Sequence, residues 1–374
     1  MNLDSILSKE LAALEKADLL RRLRPADEPG LLNFAANDYL GLSRHPALIE
    51  AARKASADHG AGAGASRLVT GTNSAVLALE EELAAWKEKE AALVFSSGYA
   101  AALGTIPALV GKGDTVILDK LAHASLIDAA RLSGATLRVF PHNSVNKLAA
   151  LLQKLSGRIL IVTESIFSMD GDAAPLREIV ELKDKHGAWL FVDEAHATGL
   201  YGPTGAGLIA DAGLSARVEI VMGTLSKALG SVGGYLAGSR TAIDWFINRA
   251  RSFIYSTALP PGVIAAGRAA VELTRSPEGD QLRARLRHNI AHFHAGLPIT
   301  WKNKTLSSSA IQPLICGESS AALQMAADLR RRGFLIPAIR YPTVPRHAAR
   351  LRVTLSTAHY ESDINALNRA LAAH

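Results

Sequence analysis

Between residues 91 and 238, short apolar runs alternate with segments of helix length, and this alternation limits the fold more than any other feature. The runs are AALVF (91–95), TVILD (115–119), TLRVF (136–140), RILIVTE (158–164), AWLFVDE (188–194), VEIVMG (218–223) and GGYLAG (233–238), with helical patterns such as 144–154 and 175–186 between them. Runs that are apolar throughout fit strands covered by helices on both faces, as in a parallel sheet. The pattern therefore predicts an α/β fold with its site at the carboxyl ends of the strands.

The rest of the chain predicts a second, smaller domain. Residues 2–23 carry apolar side chains near helical spacing and predict a helix. After a helical stretch at 262–275, the pattern predicts a helix at 279–293, a strand at 310–315, a helix at 320–332, a strand at 351–356 and a helix at 361–372. A chain of 374 residues is too long for one small core. We expect an N-terminal segment (1–44) that packs with the small domain, a large α/β domain (45–275) and a small α+β domain (276–374).

Composition and patterning exclude several classes of protein. The N-terminal MNLDSILSKE lacks the basic and apolar regions of a signal peptide, and no apolar run approaches the length of a membrane span. The single cysteine, Cys316, excludes an internal disulfide framework and favours the cytoplasm. The formal net charge of +6 is spread along the chain, so we expect neither nucleic acid nor a membrane as a partner.

Polar residues collect directly after the predicted strands. They are Asp119 and His123 after TVILD, Glu164, Ser168, Asp170 and Asp172 after RILIVTE, Asp193 and His196 after AWLFVDE, and Thr224, Ser226 and Lys227 after VEIVMG. Taken singly, an aspartate at a strand end is typical of a helix cap, and a lysine is typical of a solvated surface. Because parallel strands end at one edge of a sheet, the whole set predicts a functional site there.

The letters DEAH within VDEAHATG (192–199) are also a helicase signature. A helicase of that kind needs a phosphate loop GxxxxGK[ST], whose amides and lysine hold the triphosphate. Here the Gly111-Lys112 pair is followed by Gly113, and the loop is absent from the sequence. The aspartate of DEAH therefore serves another purpose.

Metal-dependent and serine hydrolysis are not indicated either. His288, His292 and His294 lie close together in sequence, but HExxH is absent and no carboxylate stands between them. We therefore expect these histidines to lie on the surface of a helix, and we expect no metal site. A serine nucleophile would be signalled by GxSxG, which is also absent.

Pyridoxal phosphate chemistry accounts for the residues at the strand ends. The cofactor needs a lysine for its aldehyde and a carboxylate that keeps its ring nitrogen protonated. Its phosphate needs amides and hydroxyls, commonly at a helix N-terminus. Asp193 follows a buried strand, and Lys227 comes 34 residues later. The expected phosphate ligands and ring-stacking residue are Gly98, Tyr99, Thr224, Ser226 and His123.

The chain resembles the α-oxoamine synthases, which are fold-type-I pyridoxal-phosphate enzymes similar in architecture to aspartate aminotransferase. The matching segments are NDYLGLS (37–43), SRLVTG (66–71), LEEELA (79–84), SSGYAA (96–101), DKLAHASL (119–126), TESIFSMDGDAAPL (163–176), VDEAHATGLYG (192–202), GTLSKALGSVGGY (223–235), FIYSTALPP (253–261) and ARLRVTLSTAH (349–359). The combination of ESIFSMDGD, VDEAHATG and GTLSKA at this spacing is highly specific. The resemblance implies a large, mostly parallel α/β domain and a smaller α+β domain.

The resemblance also implies a role at each matching position. Lys227 is expected to bind the cofactor and then to remove the substrate Cα proton, and Asp193 to pair with the pyridine nitrogen. His196 is expected to hydrogen-bond the ring 3-oxygen, and His123 to stack on the ring. Further cofactor contacts are expected from Gly98, Tyr99, Glu164, Ser168 and Thr224, and from Ser256 and Thr257 of a second subunit. Substrate contacts are expected from Arg352, as a bidentate carboxylate clamp, and from Arg21, Asn37 and Thr343.

Two positions depart from the family pattern. Ala102 stands where the family usually has asparagine, and Val76 where it often has histidine. Neither change removes a catalytic group. The sequence does not explain how the local hydrogen bonds of the phosphate turn and of segment 72–80 are made.

The family condenses an amino acid with an acyl thioester and releases CO2. IPAIRYPTVP (336–345) and LSTAH (355–359) most resemble the branch that joins L-alanine to a pimeloyl thioester, on coenzyme A or an acyl-carrier protein, in biotin synthesis. Sister branches use glycine with acetyl-CoA or succinyl-CoA. The resemblance also implies a homodimer with a shared site, and we expect it to work in the cytoplasm.

Three alternatives of other classes stay open. An aminotransferase would share Asp193 and Lys227 but would use a keto acid and no thioester. A pyridoxal-phosphate-binding regulator would carry an N-terminal DNA-binding region, for which residues 1–36 are too short. A structural protein would not need both of those side chains.

Overall fold

The structure is a computed structural model that describes residues 2–23, 25–302 and 307–374. The chain divides into two compact units. The large unit consists of residues 40–168 and 173–284, and the small unit of residues 1–39, 169–172 and 285–374. The unit boundaries thus fall at 39/40, 168/169, 172/173 and 284/285. The sequence predicts boundaries at 44/45 and 275/276.

Nine of the strands follow the predicted runs closely, whereas the two-residue strands β1, β10 and β11 were not predicted. They are β1 (Leu32–Asn33), β2 (Ala91–Phe95), β3 (Thr115–Asp119), β4 (Thr136–Phe140), β5 (Ile159–Glu164), β6 (Trp189–Asp193), β7 (Ile220–Thr224), β8 (Gly234–Gly238), β9 (Ile311–Gly317), β10 (Phe334–Leu335), β11 (Ala338–Ile339) and β12 (Ala349–Thr354).

The helices fill the segments between the strands. They are α1 (Leu3–Lys16), α2 (Pro46–His59), α3 (Ser74–Trp86), α4 (Gly98–Leu109), α5 (Ala124–Leu132), α6 (Val145–Leu152), α7 (Leu176–His186), α8 (Leu208–Asp211), α9 (Arg240–Arg249), α10 (Arg251–Ile254), α11 (Pro261–Arg275), α12 (Pro277–Gly296), α13 (Ile299–Lys302), α14 (Ser319–Arg331) and α15 (Glu361–Leu371).

The large unit is built on a seven-stranded sheet of order β2-β8-β7-β6-β5-β3-β4. All neighbours pair in parallel except β8, which runs antiparallel to β2 and to β7. Alternate residues of β5 belong to two different cores: Leu160 and Val162 pack into one, and Ile159 and Ile161 into the other. Both faces are therefore covered, as the continuous apolar runs predicted, and the mostly parallel α/β fold is confirmed.

The small unit contains an antiparallel sheet of order β11-β12-β9 and a two-stranded parallel pair of β1 with β10. Helix α1 ends at Lys16, so the prediction of a helix to residue 23 is too long. Asp18 adopts a φ of 56°, which is incompatible with a continuing α-helix. No residue of α1 is buried. In the part of the chain that the structure describes, no helix has the length and apolarity needed to cross a lipid bilayer.

Candidate active site

The carboxyl ends of three neighbouring strands meet at one edge of the large sheet. Glu164 ends β5, Asp193 ends β6 and Thr224 ends β7. The parallel register pairs Glu164 with Asp193 and Asp193 with Met222. Because these strands run in the same direction, their polar terminal residues lie side by side. The structure thus places Glu164, Asp193 and Thr224 at one edge, as the sequence predicts. Asp170 and Asp172 instead belong to the small unit, and Asp119 bonds His142 and the Asn143 N–H.

Lys227 and His196 lie in the turns that follow two of these strands. The Lys227 Nζ atom is 2.8 Å from Nε2 of His196. Lys227 is half-buried, whereas His196 is buried. An amine in hydrogen-bond contact with an imidazole is placed for proton transfer.

The two carboxyl groups of this edge are removed from water. Burial raises the pKa of Glu164 well above its usual value, and the neighbouring Asp193 raises it further. Burial also raises the pKa of Asp193, while the charges of Lys227 and His123 oppose that shift. Asp193 Oδ1 accepts a hydrogen bond from the Ala195 N–H at 2.8 Å, which fixes its orientation. A cationic group beside these carboxyls would favour their ionised forms.

Glu164 retains unused hydrogen-bonding capacity. The backbone N–H groups of His123 and Ser168 hydrogen-bond its carboxylate and oppose the rise in pKa. Its Oε1 atom is nevertheless buried without a hydrogen-bond partner among residues 2–23, 25–302 and 307–374. A buried acceptor of this kind points to a partner that lies outside the polypeptide.

His123 caps the N-terminus of α5. Its Nδ1 atom lies 2.8 Å from the Ser125 hydroxyl and accepts from the Ser125 N–H at 3.2 Å. The side chain is exposed, yet partial desolvation is the largest cause of its lowered pKa. An exposed and oriented imidazole suits the expected stacking on a flat ring.

A set of amides and hydroxyls surrounds the N-terminus of α4. The Ser97 hydroxyl accepts from the Ala100 N–H at 3.0 Å and so leaves the earlier amides of the helix available. Thr224 accepts from the Ser226 N–H at 3.1 Å. A side chain on Gly98 would lie 4.0 Å from Thr224, so the two residues are neighbours. This arrangement is typical of a phosphate site.

The other predicted cofactor contacts are Tyr99, Ser256 and Thr257. The Tyr99 hydroxyl donates to Asp128, so only its backbone N–H remains for a phosphate. Ser256 lines a small cavity together with Arg67, and Thr257 pairs with the backbone of Ser66. The contact of Ser256 and Thr257 with the cofactor of a second subunit stays a prediction.

The predicted substrate residues all belong to the small unit, where they form two pairs. Arg352 is buried, and its Nη1 donates to Asn37 Oδ1 and to Thr354 Oγ1, both at 2.9 Å. Arg21 Nη2 donates to Thr343 Oγ1 at 3.4 Å, and both residues are exposed. A guanidinium presents its donors in a planar fork that matches a carboxylate ligand.

The family model for aminotransferase class I and II matches residues 29–371. The chain belongs to this family. Its relatives include 8-amino-7-oxononanoate synthase of Geobacter sulfurreducens, at 46% identity over 98% of this chain and 96% of the relative. The enzyme of that name from Methylobacterium radiotolerans is 46% identical over 100% of this chain and 98% of its own length.

Solved structures agree with the fold. Serine palmitoyltransferase of S. paucimobilis with bound PLP–myriocin has a TM-score of 0.91 and 30% identity over 100% of this chain and 98% of that chain. The 8-amino-7-oxononanoate synthase of Francisella tularensis has a TM-score of 0.77 and 29% identity over 92% of this chain and 97% of that chain. The resemblance to α-oxoamine synthases and the fold-type-I architecture are therefore confirmed.

The sequence did not predict a buried network of charged and polar side chains that includes Glu194, the neighbour of Asp193. Lys87 Nζ lies 3.0 Å from Glu194 Oε2 and donates to Thr198 Oγ1 at 2.9 Å and to the Ala206 carbonyl. Thr198 in turn lies 2.9 Å from the Tyr235 hydroxyl. Glu194 is the acid of DEAH, next to Asp193. In sequence, Lys87 has the pattern of a solvated helix end, so its partners could not be predicted.

The structure shows how the segment around Val76, one of the two departures from the family pattern, makes its hydrogen bonds. Asn73 Oδ1 accepts from the N–H of Val76 at 3.0 Å and caps α3. Glu80 forms a buried ion pair with Arg67 at 2.8 Å and accepts from the Val94 N–H at 2.8 Å. Ala102, which lies within α4, is fully buried in the apolar core. Hydrogen bonds of segment 72–80 thus come from Asn73 and Glu80.

Proposed function

We propose that the chain is a pyridoxal-phosphate-dependent C-acyltransferase with 8-amino-7-oxononanoate synthase activity. It condenses L-alanine with a pimeloyl thioester, on coenzyme A or an acyl-carrier protein, and releases 8-amino-7-oxononanoate, CO2 and the free thiol. The observation that carries the chemistry is the contact of Lys227 with His196 beside the buried carboxyls. The choice of substrates is supported by the curated relatives of that name, such as the one from Geobacter sulfurreducens.

The residues present fit pyridoxal phosphate. Lysine, buried carboxylate, oriented imidazole and a helix N-terminus with hydroxyls are the groups that the cofactor requires. The unpartnered Oε1 of buried Glu164 is consistent with a polar ligand at this edge. When bound, the cofactor supplies an electron sink for negative charge at the substrate Cα.

Each side chain of the site has its own role in this reaction. Lys227 would hold the cofactor and then take and return the Cα proton. His196, whose Nε2 lies 2.8 Å from the Lys227 amine, would orient that amine and hydrogen-bond the ring 3-oxygen. Asp193 stabilises a protonated ring nitrogen, because a buried carboxylate gains most from a cation beside it. His123 covers the ring face. The N–H groups of Gly98 and Tyr99, with Thr224, hold the phosphate, and Ser168 and Glu164 line the pocket.

Substrate recognition belongs to the same proposal. Arg352 holds the carboxylate of alanine, since a guanidinium matches a carboxylate with two parallel hydrogen bonds. Asn37 orients that guanidinium through its 2.9 Å bond, and Arg21 with Thr343 approaches the acyl substrate. A carboxylate-ended acyl chain suits these cationic groups.

The working form in this proposal is a cytoplasmic homodimer whose second subunit supplies Ser256 and Thr257. The segment that pairs with Thr257 carries exposed apolar side chains, with Leu68 53% and Val69 74% exposed, and nearby Tyr255 is 71% exposed. Large apolar side chains exposed to this degree support a protein interface here.

Thiol release by the purified protein tests the activity. We expect fast release with pimeloyl-CoA and L-alanine, and slow release with glycine and acetyl-CoA or succinyl-CoA. Release only with a glycine pair would assign the chain to a sister branch. Turnover of alanine with a keto acid and no thiol release would favour an aminotransferase instead.

The cofactor assignment has its own test. Lys227→Ala should abolish the visible absorbance of covalently held pyridoxal phosphate, because no other amine replaces the one that holds the aldehyde. Lys185→Ala, which changes an exposed lysine of α7, should leave that absorbance intact. An unchanged spectrum in Lys227→Ala would contradict the role of Lys227.

A further inference from the structure

Two helices of the small unit bring three metal-ligating side chains together. His288 and His292 lie one turn apart on α12, and their rings are nearly parallel, with centroids 6.0 Å apart and planes at 16°. Glu361 is the first residue of α15. One nitrogen of each histidine and one oxygen of Glu361 all lie within 4.8 Å of one another.

No local sequence pattern predicts this cluster. The histidine pair alone lacks a carboxylate, which is why the sequence predicts no metal there. The fold supplies Glu361 from a distant part of the chain, with its Oε1 2.7 Å from His288 Nε2. Asn365, one turn further along α15, places its Oδ1 3.0 Å from His292 Nε2 and adds an oxygen.

We propose that His288, His292 and Glu361 form a binding site for a divalent transition metal such as Zn²⁺ or Ni²⁺, separate from the catalytic edge of the large unit. Imidazole nitrogen and one carboxylate are ligands that these ions prefer, whereas Mg²⁺ and Ca²⁺ require sets of oxygens. Two histidines at i and i+4 project from the same face of a helix and can bind one ion together. Water or Asn365 would complete the coordination.

The geometry needs only a small adjustment. Metal–ligand distances of about 2.0–2.2 Å place tetrahedral ligand atoms roughly 3.4 Å apart, somewhat closer than the widest separation in this cluster. The side chains of His288 and Glu361 are each 59% exposed, so both can rotate inward without disturbing a packed core. His292 is half-buried between them and supplies the fixed ligand.

Binding at this site would join α12 to the C-terminal helix α15. Each helix already contacts the other through the bonds of His288 and His292, and a shared ion would replace two separate hydrogen bonds with stronger coordination. Because the ion would bind the folded chain and not the unfolded one, it should raise the melting temperature. The expected effect is therefore on stability, while the condensation reaction proceeds without the ion.

Calorimetric titration of the chelator-treated holoenzyme with ZnCl2, NiCl2 or MgCl2 tests the site. We expect one equivalent of Zn²⁺ or Ni²⁺ to bind and raise Tm, and Mg²⁺ to do neither. His292→Ala should weaken that binding at least about tenfold and abolish the shift in Tm. Glu361→Gln should weaken it less, because an amide oxygen can still coordinate.

His294→Ala is the matched control on the same helix. His294 Nε2 lies 2.7 Å from Gln312 Oε1, outside the cluster, so the metal-dependent rise in Tm should persist in this variant. Equal binding by His292→Ala and the parent, or binding of no equivalent at all, would overturn the proposal. Thiol release is measured in parallel, so failure of the metal site is distinguishable from failure of the proposed activity.

Discussion

Glu164 and Asp193 are register partners at the ends of two adjacent parallel strands, and both carboxyl groups are buried. Burial raises the pKa of each, and the charge of Lys227 lowers both. Without a further cation, the pair is costly to ionise fully. A ligand with a protonated ring nitrogen would offset that cost, and this relationship favours the cofactor proposed here.

The first prediction concerns the pH dependence of stability in the cofactor-free protein. The folded pKa of Glu164 lies above its ordinary value of 4.5, so the folded chain keeps a proton that the unfolded chain releases. Its contribution to stability is complete below that value and is lost as pH rises through the folded pKa. Glu164→Gln removes this dependence, so the parent should lose stability relative to the variant as pH rises.

Urea unfolding at a series of pH values from about 4.5 to 8 measures the difference. Asp193 is present in both proteins, and because its charge interacts with Glu164, the difference reports the titration of the coupled pair. Glu81→Gln, at an exposed position of α3, should give a curve parallel to the parent. A parallel curve for Glu164→Gln as well would show that its carboxyl titrates normally.

The second prediction concerns the buried pair of Lys87 and Glu194. Lys87→Met leaves the carboxylate of Glu194 buried without its cation, which should cost about 3–5 kcal/mol of unfolding free energy. The double variant with Glu194→Gln removes the charge and should recover part of that loss, since the amide oxygen still accepts from the Ile209 N–H. Chemical denaturation checks both, and a double variant as unstable as the sum of the single changes would contradict the pairing.

The third prediction concerns the close approach of Gly234 to the phosphate turn. A methyl group at Gly234 would overlap the Ser97 carbonyl and the Gly98 N–H. Gly234→Ala should therefore cost about 1–3 kcal/mol and weaken cofactor binding, because it displaces the N-terminus of α4. Gly62→Ala, where no atom lies within 4 Å of the new methyl, is the control. Equal cofactor affinity in both variants would exclude this turn from the phosphate site.

The fourth prediction concerns Arg352. Arg352→Lys keeps the charge but loses the planar fork, so KM for L-alanine should rise roughly ten- to a hundredfold, equivalent to the loss of a charged hydrogen bond. Arg350→Lys, on the same strand and hydrogen-bonded to Asp170, should leave KM nearly unchanged. Steady-state kinetics with both substrates decides, and a rise confined to the thioester KM would assign Arg352 to the acyl substrate.

Much of the large unit could be predicted because its strands are buried on both faces. Such strands appear as continuous apolar runs, and their ends place polar residues at one sheet edge. The end of α1 could not be predicted, since the apolar spacing continues past Lys16 while Asp18 turns the backbone. A local pattern reports side-chain periodicity and does not report where a single dihedral departs from the helix.

The sequence by itself determined the strands of the large sheet, the order of polar residues along the chain and the family. Only the tertiary structure decided which of those residues meet across strands and helices. Lys87 with Glu194, and His292 with Glu361, come from distant segments, and their proximity depends on packing and not on spacing. Local propensity acts over a few residues, whereas the ionisation of a buried group depends on every charge that folding brings within a few ångströms.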